Sequence, residues 1–433
     1  MRLTKYSTYI DSDIEFIPSI PINWKINRLK NLGYLQNGVS KGADYFGHGH
    51  PFISYGNVYN DNINLESISN LANSSSGEQK LYSVLEGDVF FTRTSETIDE
   101  IGIAGTCLKT IPKASFSGFV IRLRPKKNAL LKEYSKFFFK AQVNRQFLSK
   151  EISLVTRASL SQSLLSNLPV LIPPISEQTL IANYLERKTT AIDKKISLLE
   201  QKMTKYQELR KSLINETVCR GLNKDVKLVD SGIKWIGQIP EHWSIKRLKD
   251  FFNLSKGVNA SKYNNDFVKD VNKLGSFPVF SGQTANNGIM ASINTFEYEY
   301  DKSILLVTTV GANAMHLKII KGRFSLSQNC ALMMPSFQID LDYQYYFLST
   351  SFLEERKKIP SIMQPSLRLE DLNKFKLIYP PINEQKLIAK YLSIQTSKID
   401  QITINIKDQI RMLKELRKTL INDVVTGKLK VSE

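Results

Sequence analysis

The stretch Pro173–Leu222 reads PPISEQTLIANYLERKTTAIDKKISLLEQKMTKYQELRKSLINETVCRGL. It returns 207 residues later, at Pro380–Leu429, as PPINEQKLIAKYLSIQTSKIDQITINIKDQIRMLKELRKTLINDVVTGKL. About 22 of the 50 positions are identical, and a duplication of this kind fixes the architecture before any single residue does. Each copy opens on a proline pair, Pro173-Pro174 or Pro380-Pro381, which cannot continue a helix or a central strand and marks a boundary. Ser176 or Asn383 then offers an N-cap oxygen, and Glu177 or Glu384 sits where the helix dipole favours a carboxylate.

A long amphipathic helix follows in each copy. Ile192, Ile196, Leu199, Met203 and Tyr206 are spaced 4, 3, 4 and 3, the alternation of a coiled-coil seam. Ile399, Ile406, Ile410, Leu413 and Leu420 keep the same frame in the second copy, with Thr403 and Arg417 weakening two seam positions. Some 40 to 45 residues at about 1.5 Å each make a rod of roughly 60 to 65 Å. Neither rod can bury its stripe alone, so the two are expected to pack on each other.

At 433 residues the chain has room for two or three domains with sizeable cores. No apolar h-region follows Met1 and no apolar run approaches a membrane span, so a cytoplasmic protein without membrane contact is expected. Cys107, Cys219 and Cys330 form neither a disulfide framework nor a C-x-x-C site. The net charge of +18 is spread over both globular parts and both helical parts. That distribution suits a polyanionic partner, with phosphates as the target.

A globular segment precedes each helix, and the two segments match only at their edges. Asp11–Val39, DSDIEFIPSIPINWKINRLKNLGYLQNGV, aligns with Asp230–Val258, DSGIKWIGQIPEHWSIKRLKDFFNLSKGV. Trp24 and Trp243 in these openings are expected to be buried anchors rather than base-stacking platforms. Inside the first segment, PFISYGNV, GDVFFTRTS, SGFVIRLRP and NLPVLIPP read as strands, and Lys132–Ile152 has helical spacing. In the second, FPVFSGQ, SILLVTTVG, CALMMP and KFKLIYPP are the strands and YQYYFLSTSFLEERKKI the helix. Each segment is thus an α+β domain. The expected layout is a first domain at 1–171, a spacer helix at 172–225, a second domain at 226–378 and a C-terminal spacer helix at 379–433.

The doubled D-S-x-I-x-x-I-x-x-I-P-x-x-W-x-I-x-R-L-K openings and P-P-I-x-E-Q-x-x-I-A-x-Y-L helix starts resemble the DNA-specificity subunit of type I restriction–modification systems. Phe16 stands in the first opening where the second has Trp235. The resemblance covers essentially the whole chain. It implies two target recognition domains with mixed or antiparallel sheets, each reading one half of a bipartite site in double-stranded DNA. It also implies that the two helices form an antiparallel coiled coil. The partners it implies are two adenine-N6 methyltransferase subunits and a motor-nuclease subunit. A duplicated chain presents one partner surface twice, which independently suits two identical subunits. Two readers on such a rod could address half-sites about one DNA turn apart.

The sequence holds no catalytic constellation. An adenine methyltransferase needs a Gly-rich cofactor loop and an Asn/Asp-Pro-Pro-Tyr/Phe loop to grip a flipped base. Ile172-Pro-Pro-Ile175 and Tyr379-Pro-Pro-Ile382 lack the polar first and aromatic last residues. There is no G-x-x-x-x-G-K-S/T loop either, and His48-Gly49-His50 is too thin for a metal site. The chain is therefore expected to be a non-catalytic subunit that binds no cofactor, with S-adenosylmethionine held by its partner. The alternatives are a coiled-coil scaffold, or a targeting subunit for a methyltransferase without a restriction partner.

Base readers are sought in the divergent loops, among side chains that pair with base edges and phosphates. In the first domain these are Lys41, Tyr45, Arg93, Thr94, Ser95, Arg157 and Gln162. In the second they are Gln283, Asn286, Asn287, Asn313, Gln364 and Arg368. Arg122, Arg124, Lys126 and Lys127, and Arg356, Lys357 and Lys358, read as phosphate or solvent charges.

Overall fold

The computed structural model describes residues 2–60, 62–95, 97–151, 158–360 and 363–432. The chain divides into two compact units, Met1–Glu200 with Lys407–Glu433, and Gln201–Ile406. Each unit takes the first half of one long helix and the second half of the other, so the compact bodies cut across the helices.

The first unit is built on a five-stranded sheet. Its order is Gly33–Asn37, Val120–Pro125, Val89–Thr92, Ala104–Cys107 and Asn62–Ile63. The first four are antiparallel and the last pairs parallel. VFFT at Val89–Thr92 is buried at every residue, which is why it reads as a continuous apolar run rather than an alternation. The second unit has a six-stranded sheet of Phe252–Lys256, Cys330–Pro335, Tyr298–Thr308, Leu317–Leu326, Leu274–Phe280 and Ile289–Ile293. Again four antiparallel strands are followed by one that pairs parallel. Interiors without detectable sequence agreement thus keep one strand order. Leu317–Leu326, absent from the strands expected above, is the fourth of these.

A short antiparallel pair closes each unit, Lys25–Arg28 with Pro169–Ile172 and Ser244–Arg247 with Lys376–Tyr379. The matched openings and the residues before each proline pair therefore meet across one ladder. The apolar spacing at Lys132–Ile152 resolves into two helices, Lys132–Phe138 and Gln142–Glu151, with Ile152 outside the described residues. The break follows from Phe139, whose ring packs edge-on against both Phe91 and Phe138, and from backbone bonds that close tight turns at Lys140 and Ala141. The second unit keeps a single helix at Leu341–Arg356.

The long helices run Ile175–Arg220 and Ile382–Val425. Gln178 and Gln385 donate their backbone N–H to Pro174 and Pro381, so the first turn begins on the second proline. Ser176 and Asn383 lie inside that turn instead of capping it. The core of the first unit includes Ile181, Tyr184 and Leu185 from one helix and Ile421, Val424 and Val425 from the other. The core of the second takes Ile388 and Leu392 with Ile214 and Val218, the repeat counterparts of Ile181, Leu185, Ile421 and Val425.

Within each unit the two helical segments run antiparallel. In the first, Arg417 Nε meets Asp193 Oδ1 at 3.0 Å. In the second, Arg210 Nε meets Asp400 Oδ1 at 2.9 Å. The repeat maps Asp193 onto Asp400 and Arg210 onto Arg417, so one register serves both contacts. Arg417 is not a defect in the seam. Its guanidinium reaches an acid on the facing helix, as Arg210 does. Among the seam residues Ile196, Ile399, Ile406 and Ile410 are buried, and Ile192, Leu199, Met203, Tyr206, Leu413 and Leu420 are half-buried.

Candidate nucleic-acid interface

A frame shared by the two units decides which loops can meet. The buried Gln178 accepts from Leu131 N at 3.0 Å and donates to Pro173 O at 3.0 Å. Gln385 does the same with Asp340 N at 3.0 Å and Pro380 O at 2.8 Å. Each glutamine ties the start of a long helix to the start of a short one, Lys132–Phe138 or Leu341–Arg356. Trp24 Nε1 donates to Glu177 at 3.1 Å and Trp243 Nε1 to Glu384 at 3.0 Å. Each indole also lies against the glycine that ends the other long helix, Gly427 or Gly221, both at a φ of +74°. A Cβ on Gly221 would come within 3.0 Å of Trp243, so the left-handed turn and the close approach both call for glycine. Tyr134 OH donates to Leu171 O and Tyr343 OH to Val218 O, each fully buried. The tryptophans are anchors, unavailable to a base.

This frame brings the same two loops together in both units. In the first, Thr94 and Ser95 pair with Ser159 and Ala158, and Leu160 N donates to Arg93 O at 2.7 Å. In the second, Val310 bridges to Ser366, and Leu367 N donates to Thr309 O at 2.7 Å. The loop after the central strand therefore sits beside the segment that leads into Gln162–Ser166 or Leu369–Lys374.

The first unit's expected readers fall into two groups. Arg93, half-buried, donates to Gly118 O at 3.3 Å, and the Ser95 hydroxyl is taken by Glu100. Gln162 begins its helix close by, half-buried, while Arg157 lies outside the described residues. Lys41 and Tyr45 stand on another loop. Lys41 lies 3.7 Å from Glu78 and 6.0 Å from the Tyr45 ring. Burial, then Glu78, pushes the Tyr45 phenol up to about 12, so it enters any contact as a neutral hydroxyl.

In the second unit three of the expected residues converge. Asn313 Nδ2 donates to Gly282 O at 3.1 Å, beside Gln283, whose own amide donates to Ile289 O at 2.6 Å. Gln364 Nε2 lies 3.9 Å from the position a Cβ would take on Gly311. Asn286 and Asn287 take left-handed backbone at φ 47° and 50°, a conformation asparagine tolerates better than most residues. Both are exposed. Arg368 is exposed at the N-cap of Leu369–Lys374.

Two charge clusters depart from the sequence reading. Arg124 chelates the buried Asp88 through Nε at 2.8 Å and Nη2 at 2.6 Å. Arg122 is buried, donating to Ser83 O and Gln36 with its guanidinium over Phe116. Burial lowers its pKa to about 10, against the pull of Asp88. Both arginines hold the sheet together, because the strand alternation turns them inward. Lys126 and Lys127 are exposed, as are Lys357 and Lys358, which pair with Glu354 and Glu355. Arg356 is committed to Ala312 O, and so steadies the Asn313 loop.

Sequence reasoning missed Lys318. Its Nζ donates to Gln283 O at 3.2 Å, in the midst of the converging amides. It sits in the run LKIIKGRFSL, where its strand was not recognised, and a lysine in a strand carries no signal by itself. Among the described residues, no group of three His, Cys, Asp or Glu stands close enough to hold a metal. No described helix is long and apolar enough to cross a membrane.

A profile of the family described as "Type I restriction modification DNA specificity domain" matches residues 21–202 and 240–412. The type I restriction enzyme MjaIX specificity subunit of Methanocaldococcus jannaschii is 23% identical, over 96% of each chain. The EcoKI specificity subunit of Escherichia coli K12 is 25% identical over 46% of this chain and 43% of its own length. Among solved structures, a chain from a study of complex assembly and conformational transition of the type I R-M system superposes with a TM-score of 0.71. It is 14% identical, covering 94% of this chain and 98% of that one.

Proposed function

The chain belongs to the type I restriction–modification DNA specificity family, and on that premise we propose that each unit reads one half of a bipartite DNA site. The observation that carries this reading is a frame built twice around two unlike sets of loops. Matched glutamines, tryptophans, tyrosines and strand order hold the same two loops side by side in both units. The loop sequences then differ, Arg93-Thr94-Ser95 in one and Thr309-Val310-Gly311 in the other. A shared frame with private loops is what recognition of two different half-sites requires. The net charge of +18 supplies the sequence-independent attraction to phosphate on which such reading rests.

The partners in this reading are two copies of an adenine-N6 methyltransferase subunit, with a motor-nuclease subunit completing a restriction enzyme. S-adenosylmethionine belongs to the methyltransferase. The repeated helical register, Asp193 with Arg417 and Arg210 with Asp400, supports two equivalent docking faces. Sequencing N6-methyladenine in a methylation-free host that expresses the chain with its modification subunit tests the proposal. One motif of two specified halves around an unspecified spacer is expected. A continuous motif, or none, contradicts it.

A further inference from the structure

Lys318 reaches the converging amides of the second unit from within the sheet. It lies directly across the ladder from Leu306, whose other neighbour is Leu332, and its stem crosses an apolar face. The side chain is half-buried, and its Nζ donates to Gln283 O. Gly288 makes room for it, since any Cβ there would overlap the ammonium. Burial lowers its pKa, with Cys330 opposing the shift. A lysine held this way is fixed in position, unlike a phosphate contact on a free stem.

The shared frame does not require it. Thr308 accepts from Met315 N and donates its own N–H to His316 O, as Thr92 does with Gly102 and Ile103. Leu306 and Phe90 are then counterparts, and Lys318 falls on Gly105, which pairs with Phe90. At Gly105 a Cβ would press on Val58 O at 2.8 Å, so the first unit has no room for a side chain there. The lysine belongs to what is private to the second unit.

We propose that Lys318 is a specificity-determining residue of the second unit, donating to the O6/N7 edge of one guanine. An ammonium carries three donors. Gln283 takes one, which leaves two for the acceptor pair that guanine alone presents in the major groove. This inference rests on the reading of the second unit as a DNA-recognition domain, and the test separates the two.

The full chain, co-expressed with its modification subunit, is compared with Lys318→Met by methylation sequencing. If the unaltered chain gives no bipartite motif, the underlying reading fails. Given a bipartite motif, Lys318→Met must relax one guanine position in one half-site, with discrimination there falling roughly ten- to a hundred-fold. Every other position must be retained, and Lys321→Met, an exposed lysine on the same strand, must leave the motif intact. An unchanged motif, a uniform fall in methylation at all sites, or relaxation at an A·T position overturns the proposal. Should Lys318→Met yield no soluble complex, Lys318→Gln keeps a polar side chain at the site without the three donors of the ammonium. The same guanine must relax there, and an unchanged motif is again a refutation.

Discussion

Gln385→Met tests whether the duplicated glutamines hold the frame together. Methionine is close to glutamine in volume and fills the buried site without polar atoms. The substitution strands the half-buried Asp340 N–H at 3.0 Å and the buried Pro380 carbonyl at 2.8 Å. Leaving a buried donor or acceptor unsatisfied costs about 1–3 kcal/mol each, so the pair should cost about 3–4 kcal/mol. For a unit of this size that lowers the melting temperature by roughly 10 °C. Gln178→Met strands Leu131 N and Pro173 O, and should cost the same within about 1 kcal/mol. Urea unfolding followed by tryptophan fluorescence distinguishes the units, because Trp24 lies in the first and Trp235 and Trp243 in the second. Losses below about 1 kcal/mol for both variants would refute the reasoning. So would a large cost in one unit without its counterpart in the other.

The inter-helix ion pairs are partly exposed and should each contribute about 0.3–1 kcal/mol in a double-mutant cycle. Asp193–Arg417 should be the stronger, because Arg417 is 20% exposed against 38% for Arg210; equal coupling that survives 1 M salt would contradict the assignment. Tyr134 and Tyr343 are fully buried, which raises both phenols well above 10. The folded pKa exceeds the unfolded value, so their contribution is whole below pH 10 and is lost as the pH rises beyond it. Ultraviolet titration should show both phenols ionising only with alkaline unfolding, and early ionisation in the folded state would count against the packing. Native mass spectrometry with saturating modification subunit should give two copies per chain; a limit of one would remove the second docking face.

The frame was legible in sequence because it was written twice. The proline pairs, Glu177 and Glu384, Gln178 and Gln385, and Trp24 and Trp243 stand at matched spacing, and the structure joins them to one another. What could not be read was which way a residue faces when its strand is not recognised. Arg122 and Arg124 looked like surface charge because R-L-R alternates, yet a buried Asp88 and Gln36 lie on that side. Lys318 was lost with its strand, since LKIIKGRFSL carries too many charges to read as apolar and no simple alternation. The caps lie two residues earlier than the sequence suggests, because the carbonyl of the second proline takes the first helical bond. The readers were the least legible of all. Their positions depend on the joining of two loops far apart in the chain, as Arg93 meets Leu160 and Thr309 meets Leu367.

The division of labour between the units is tested most directly by replacing residues 40–160 with the matching segment of another family member and sequencing the methylated motif. One half-site should change, and the other half-site should be retained base for base. Change in both halves, or in neither, would contradict the assignment of one half-site to each unit.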